Sequence, residues 1–191
     1  LLGSHAITGG WQQEWVDLTD ANGVSLGDAM TEFGLDPEKI ADAELDPNAV
    51  RGFLEVHIEQ GPLLEKRGLP VGVVTSIAGA RRFSFSIQGK AGHAGTVPMP
   101  MRQDALLGAS QCIQLVEEAT KRFDVVATVG DISCKPGAVN VIPGHCQFFL
   151  DIRGAKDAVR DRAVEWLMTA MSSSCHRRGL TLDPVSYTHL T

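Results

Sequence analysis

From residue 53 to residue 60 the chain alternates: Leu54, Val56 and Ile58 share one face, led in by Phe53, and Glu55, His57 and Glu59 share the other. A period of two marks a strand with one apolar face, so GFLEVHIEQG is predicted as a strand carrying its polar groups on the opposite side. Gly61 and Pro62 stop the run, and PLLEKRG predicts a short helix with a proline in its first turn and Gly68 closing it. The next stretch, VGVVTSIAG, is apolar almost throughout and fits a strand buried on both faces. Upstream, Leu26, Ala29, Met30 and Phe33 recur at helical spacing between a capping Ser25 and a terminating Gly34. Residues 36–49, with two Asp-Pro steps, predict a loop or irregular helix.

Past Gly79 the pattern changes. RRFSFSIQG alternates strictly, with Phe83, Phe85 and Ile87 inward, and a Gly/Pro loop, GKAGHAGTVPMPM, leads to a long amphipathic helix from about Arg102 to Lys121. VVATVGDISC and HCQFFLDIR then read as an antiparallel pair joined by the loop KPGAVNVIPG. A second helix, about Lys156 to Arg177, runs into GLTLDPV. The order strand, helix, strand, strand, helix, strand is that of a ferredoxin-like (βαββαβ) domain, two helices covering one face of a four-stranded antiparallel sheet. An α/β chain in two parts is therefore expected, 1–78 and 79–184, dividing near Ile77 to Arg81.

Composition narrows the function classes. With 191 residues and 43% hydrophobic content the chain can bury a sizeable core. No apolar run approaches the roughly 18 residues that cross a bilayer, and the N-terminus lacks a signal-peptide profile, so a cytoplasmic location without membrane partners is expected. A net charge of -6 with no cluster of Lys and Arg argues against nucleic acid. Cys112, Cys134, Cys146 and Cys175 are widely spaced with no C-x-x-C pair, and they read as reduced thiols. The chain opens at Leu1 without Met, and VSYTHLT resembles a translated cloning tail, so residues 185–191 are expected to lie outside the native fold.

Three features carry candidate chemistry. His57 lies between Glu55 and Glu59; it is either a metal ligand held among carboxylates or a strand histidine bonded to one of them. His93 sits in a loop of small residues that lets backbone approach a ligand closely, or is a solvated turn histidine. Asn140 and Arg153 lie on the hairpin loop and at the end of its second strand. An arginine fork and an amide suit carboxylate or ureido groups, although turn capping and solvation explain both as well. Arg81 and Arg82 are adjacent and so face opposite ways on a strand. Neither GHAG nor GAVNVIPG matches a phosphate-cradling loop placed between a strand and a helix.

The strings FLEVHIEQGPLLE, GHAGTVPMPMRQDAL and GAVNVIPG followed by DIR, in that order, resemble the allantoate amidohydrolase and N-carbamoyl-L-amino-acid hydrolase group of the aminoacylase and di-zinc carboxypeptidase superfamily. The resemblance runs from about Leu1 to Asp183. It implies a partial di-metal catalytic domain, then a ferredoxin-like lid and dimerisation domain, with two divalent metal ions, zinc or manganese, per full-length subunit. It implies that His57 is a metal ligand and that Gln60 lies close to the substrate. His93 becomes the lid histidine that reaches the partner subunit's site and polarises the scissile carbonyl. Arg81, Asn140 and Arg153 match positions that hold substrate carboxylate and ureido groups. The implied chemistry is metal-assisted hydrolysis of a ureido compound by a homodimer, with a glutamate as general base.

The group's remaining metal ligands do not occur in this chain, so the fragment alone is expected to be inactive. Allantoate is the expected substrate and an N-carbamoyl-L-amino acid the alternative. A non-catalytic dimerisation module is the reading from another class. By the same resemblance, HIEQGP argues against a dipeptidase or aminoacylase of the superfamily.

Overall fold

A computed structural model describes residues 2–187, and the chain divides into two compact units, Leu1–Pro70 and Val71–Thr191. The first unit holds short helices. Helix α1 spans Leu2–Ile7, and α2 spans Leu26–Glu32. The Ser25 hydroxyl accepts the Asp28 N–H at 3.0 Å, taking one of the donors that the first helical turn leaves unpaired. Residues Pro37–Ala43 form a 3-10 helix that Asp36 caps. Helix α3, Leu63–Arg67, ends at Gly68 with φ 65, a left-handed position that glycine adopts without steric cost.

The second unit is a four-stranded sheet, a two-stranded ladder and two long helices. Strand β1 (Gly79–Gln88) is followed by the two-residue β2 (Gly92–His93), α4 (Ala105–Arg122), β3 (Val126–Lys135), the two-residue β4 (Val141–Ile142), β5 (His145–Gly154), α5 (Asp157–Arg177) and β6 (Thr181–Tyr187). The long strands lie in the order β3-β5-β1-β6, every pair antiparallel, which is the expected strand and helix sequence closed into one sheet.

Strand alternation decides the core. Phe83, Phe85 and Ile87 of β1 and Cys146, Phe148, Leu150 and Ile152 of β5 point to the helix-covered face and are buried. Phe85 and Phe148 stack with centroids 4.9 Å apart. Helix α4 presents Ala105, Gly108, Ala109 and Cys112 to the core, and α5 presents Ala163, Leu167, Met171 and Cys175. The small residues of α4 bring its axis close to the sheet: a Cβ on Gly108 would collide with Leu180.

Several expectations need correction. Residues 53–60 and 71–78 are not strands among the described residues, because neither segment has a hydrogen-bonded neighbour. Alternation supplies a face, but a strand exists only as a member of a ladder. Their apolar side chains stand open, with Phe53 at 87%, Val56 at 93% and Ile77 at 90% exposure. Helix α4 starts at Ala105 rather than Arg102, since Asp104 is the N-cap and accepts the Leu107 N–H at 3.1 Å. At the C-terminal end, residues 185–187 continue β6 beside β1, and residues 188–191 of the expected non-native tail lie outside the described residues. No described helix is long and apolar enough to cross a membrane.

Candidate functional site

The long strands end at Gln88, Lys135 and His145, and beyond that end two loops meet. Gly92 pairs with Ile142 and His93 with Val141, the bridge that makes β2 and β4. The Ala94 N–H donates to the Asn140 carbonyl at 2.9 Å, so the residues next to His93 and Val141 extend the contact, and Asn140, 47 positions from His93 in the sequence, lies at the edge of this small ladder. Arg102 holds the glycine-rich loop from behind, its Nε donating to the Val97 carbonyl at 3.0 Å and its Nη2 to the Ala94 carbonyl at 2.5 Å. His93 is exposed, and its Nδ1 accepts the Gly95 N–H at 3.1 Å. That bond assigns the lone pair to Nδ1, so Nε2 is the ring nitrogen left to carry the N–H donor.

The loop reaches this place through a close approach of backbones. The Lys90 N–H donates to the Gln103 carbonyl at 2.8 Å, and Gly89 lies so near that carbonyl that any Cβ there would overlap it. Glycine is required at Gly89 by space alone.

Arg81 and Arg153 sit at the other end of the sheet, and on opposite faces. Arg81 lies on the Phe83 side, its guanidinium 5.1 Å from that ring centroid and 3.5 Å from Asp161. Arg153 lies on the open face with Asp151, which it meets at 2.7 Å through Nε and 3.0 Å through Nη2. Arg82 reaches the same carboxylate from β1 at 2.9 Å. Arg153 and, secondarily, Arg82 hold the Asp151 carboxyl below the usual carboxylate range. Two of the five guanidinium N–H groups of Arg153 are spent on Asp151, and the others remain for a second anion. Along β5, Arg153 is eight residues from His145, about 27 Å at strand spacing.

His57 and Gln60 belong to the first unit. His57 is exposed and its Nδ1 lies against the Ile58 carbonyl; Gln60 has φ 56, the one described non-glycine residue with a positive φ. Glu59 is occupied in capping α3, accepting the Leu63 and Leu64 N–H groups at 3.1 and 3.0 Å. Among the described residues no group of three His, Cys, Asp or Glu side chains is placed to hold a metal ion. Among the described residues, therefore, the donor set does not fit a two-metal centre by itself, and His57 has no second His, Cys, Asp or Glu group placed with it to hold a metal.

The β2–β4 bridge, the Arg102 clasp and the role of Asp151 were missed by sequence reasoning. Asp151 and Arg153 could have been found, since a spacing of two on a strand puts both on one face. The bridge joins two loops without periodic pattern, and nothing local announces it.

Comparison with known proteins gives this geometry a context. The family described as peptidase dimerisation domain matches residues 75–178. The chain is 40% identical to an N-carbamoyl-L-amino acid amidohydrolase of Geobacillus stearothermophilus, over 95% of the chain and 45% of that protein. It is also 40% identical to an allantoate deiminase of Arabidopsis thaliana, over 94% of the chain and 38% of that protein. A crystal structure of a hydantoinase/carbamoylase family amidase from Burkholderia ambifaria superposes with a TM-score of 0.85 at 30% identity, covering 98% of the chain and 45% of that structure. The chain thus spans less than half the length of these relatives, and both enzyme types expected from its motifs recur among them.

Proposed function

Because the chain belongs to the peptidase dimerisation domain family, we propose that it is part of a homodimeric amidohydrolase that hydrolyses a ureido carbon–nitrogen bond. Allantoate is the first-choice substrate and an N-carbamoyl-L-amino acid the second. In this reading residues 79–184 are the lid and dimerisation domain and residues 1–78 are part of the catalytic domain.

One observation carries the reading. The β2–β4 bridge presents His93 beside the Asn140 loop at one end of the sheet, while Arg153 stands at the other, eight residues and about 27 Å along β5 from His145. A substrate the size of allantoate cannot touch both ends in one copy. Two copies joined through this domain can each lend one end to the other's site, which makes the homodimer part of the catalytic design.

The residues then divide the work. His93 donates from Nε2 to the scissile carbonyl oxygen, where negative charge develops as the bond breaks. Asn140 donates or accepts at the ureido group, and Arg153 takes the substrate carboxylate through the N–H groups that Asp151 leaves. Arg81 and Gln60 complete the substrate contacts. His57 is proposed as a ligand of one of the two divalent metals, zinc or manganese, of the full-length enzyme. The other ligands must come from outside this chain, so the isolated chain is proposed to be inactive.

His93→Ala in the full-length protein tests this. The residue is exposed, so stability should hold while kcat falls about 100-fold or more. Mixing that variant with His57→Ala subunits should restore part of the activity through hybrid dimers. An unchanged kcat for His93→Ala refutes its role, and faster turnover of carbamoyl amino acids than of allantoate reverses the substrate order.

A further inference from the structure

The four cysteines fall into two pairs. Cys112 Sγ lies 3.8 Å from Cys175 Sγ between α4 and α5, and Cys134 Sγ lies 3.2 Å from Cys146 Sγ across β3 and β5. Access separates them. Cys112 and Cys175 are shut inside the core, at 0% and 1% exposure. Cys146 is also buried, but Cys134 is only half-buried, on the outermost strand of the sheet.

The backbone already suits a bond at the second pair. Cys134 and Cys146 are direct register partners of an antiparallel ladder. Such partners have Cα atoms about 4.5 to 5.5 Å apart, within the roughly 4.4 to 6.8 Å that a disulfide spans. What the pair encloses is the hairpin loop, with Asn140 at its middle and β4 on its way back to β5. That loop is held to the His93 loop by the two-residue bridge and the Ala94 N–H to Asn140 carbonyl bond, and to the chain on either side of that loop by the Gly89 N–H to the Gly144 carbonyl and the Ala105 N–H to the Pro143 carbonyl.

We propose that Cys134 and Cys146 are a reversible dithiol–disulfide pair, which on oxidation staples the base of the hairpin loop that carries Asn140 against His93. The oxidant is a low-molecular-weight disulfide. The Cys134 thiolate attacks one sulfur of oxidised glutathione, forming a mixed disulfide and expelling one glutathione thiolate. The Cys146 sulfur then attacks Cys134 Sγ and expels the second. Two cysteine thiols become one disulfide, one oxidised glutathione becomes two thiols, and the two protons lost by the cysteines end on them. The order follows from access and from charge: burial, then the neighbouring Cys134, pushes the Cys146 thiol up to about 12, so it resolves rather than initiates. The meaning of the staple for substrate handling rests on the reading of His93 and Asn140 above. Formation of the bond does not.

The test uses this chain with oxidised glutathione, followed by alkylation in denaturant, trypsin and mass spectrometry without reductant. Pro136 blocks cleavage after Lys135, so both thiols fall in the single peptide 123–153. The expected result is that this peptide loses two hydrogens and takes no alkyl group, while the Cys112 and Cys175 peptides remain alkylated. A doubly alkylated peptide, glutathione retained on Cys134, a Cys134-linked dimer, or equal oxidation of the core pair overturns the proposal. In Cys146→Ser, glutathione should stay on Cys134, and its absence contradicts the order of attack. Hydrogen exchange at Ala94 and Val141 should slow about tenfold on oxidation and recover with reductant. A bond that forms without that change refutes the staple, and leaves the catalytic reading to be judged separately by the His93 variant.

Discussion

Asp151→Asn should destabilise the second unit near neutral pH and do almost nothing in acid. The Asp151 carboxylate receives Arg82 Nε at 2.9 Å, Arg153 Nε at 2.7 Å and Arg153 Nη2 at 3.0 Å. Exposure decides what each is worth. The Arg153 side chain is 49% exposed and sits two residues along the same strand, so its pair contributes only about 0.3 kcal/mol, as surface pairs do. Arg82 and Asp151 are each 28% exposed and tie β1 to β5, so their charge-assisted bond contributes about 1 kcal/mol. Asparagine keeps the shape and a neutral acceptor, which leaves an expected loss of about 1 kcal/mol. The folded Asp151 carboxyl lies below its unfolded value of about 3.9. Its stabilisation is therefore complete above that unfolded value and fades as pH falls through the lower folded one, where asparagine has nothing to lose. Urea unfolding followed by circular dichroism at about pH 7 and about pH 3 measures the gap. A gap that persists undiminished in acid, or that is absent at neutral pH, refutes the argument.

Two further substitutions probe the core and the loop. Phe148→Ala removes a fully buried ring stacked on Phe85 and should cost about 3–5 kcal/mol; thermal unfolding showing a loss under about 1 kcal/mol would mean that the ring is not part of the packed core. Gly89→Ala forces a Cβ into the Gln103 carbonyl and should cost about 2 kcal/mol while speeding exchange of the Lys90 amide; unchanged exchange there would show that the close approach is not needed to place the His93 loop.

How much of this could be read in the chain depends on the range of the force involved. Ser25 and Gly68 act within one helical turn, so their caps were legible from composition and order. The same holds for the inward set Phe83, Phe85 and Ile87, because alternation along β1 reports one side of a sheet directly. Phe53 to Ile58 behaves differently. Its alternation is as clean as that of β1, but no neighbouring strand among the described residues takes up its backbone groups, and the segment stands open.

The sequence by itself determined the succession of long strands and helices in residues 79–184, the faces they bury, and, through three long motifs, the family to which the chain belongs. These follow from local periodicity and from residue identity. Tertiary structure alone decided that Asn140 meets His93, that Arg81 and Arg153 face apart, that Arg102 clasps a loop instead of opening a helix, and that Cys134 touches Cys146. Each of these depends on which strand lies beside which and in what register. That choice is made by the packing of the whole sheet against its two helices, and no window of the chain contains it.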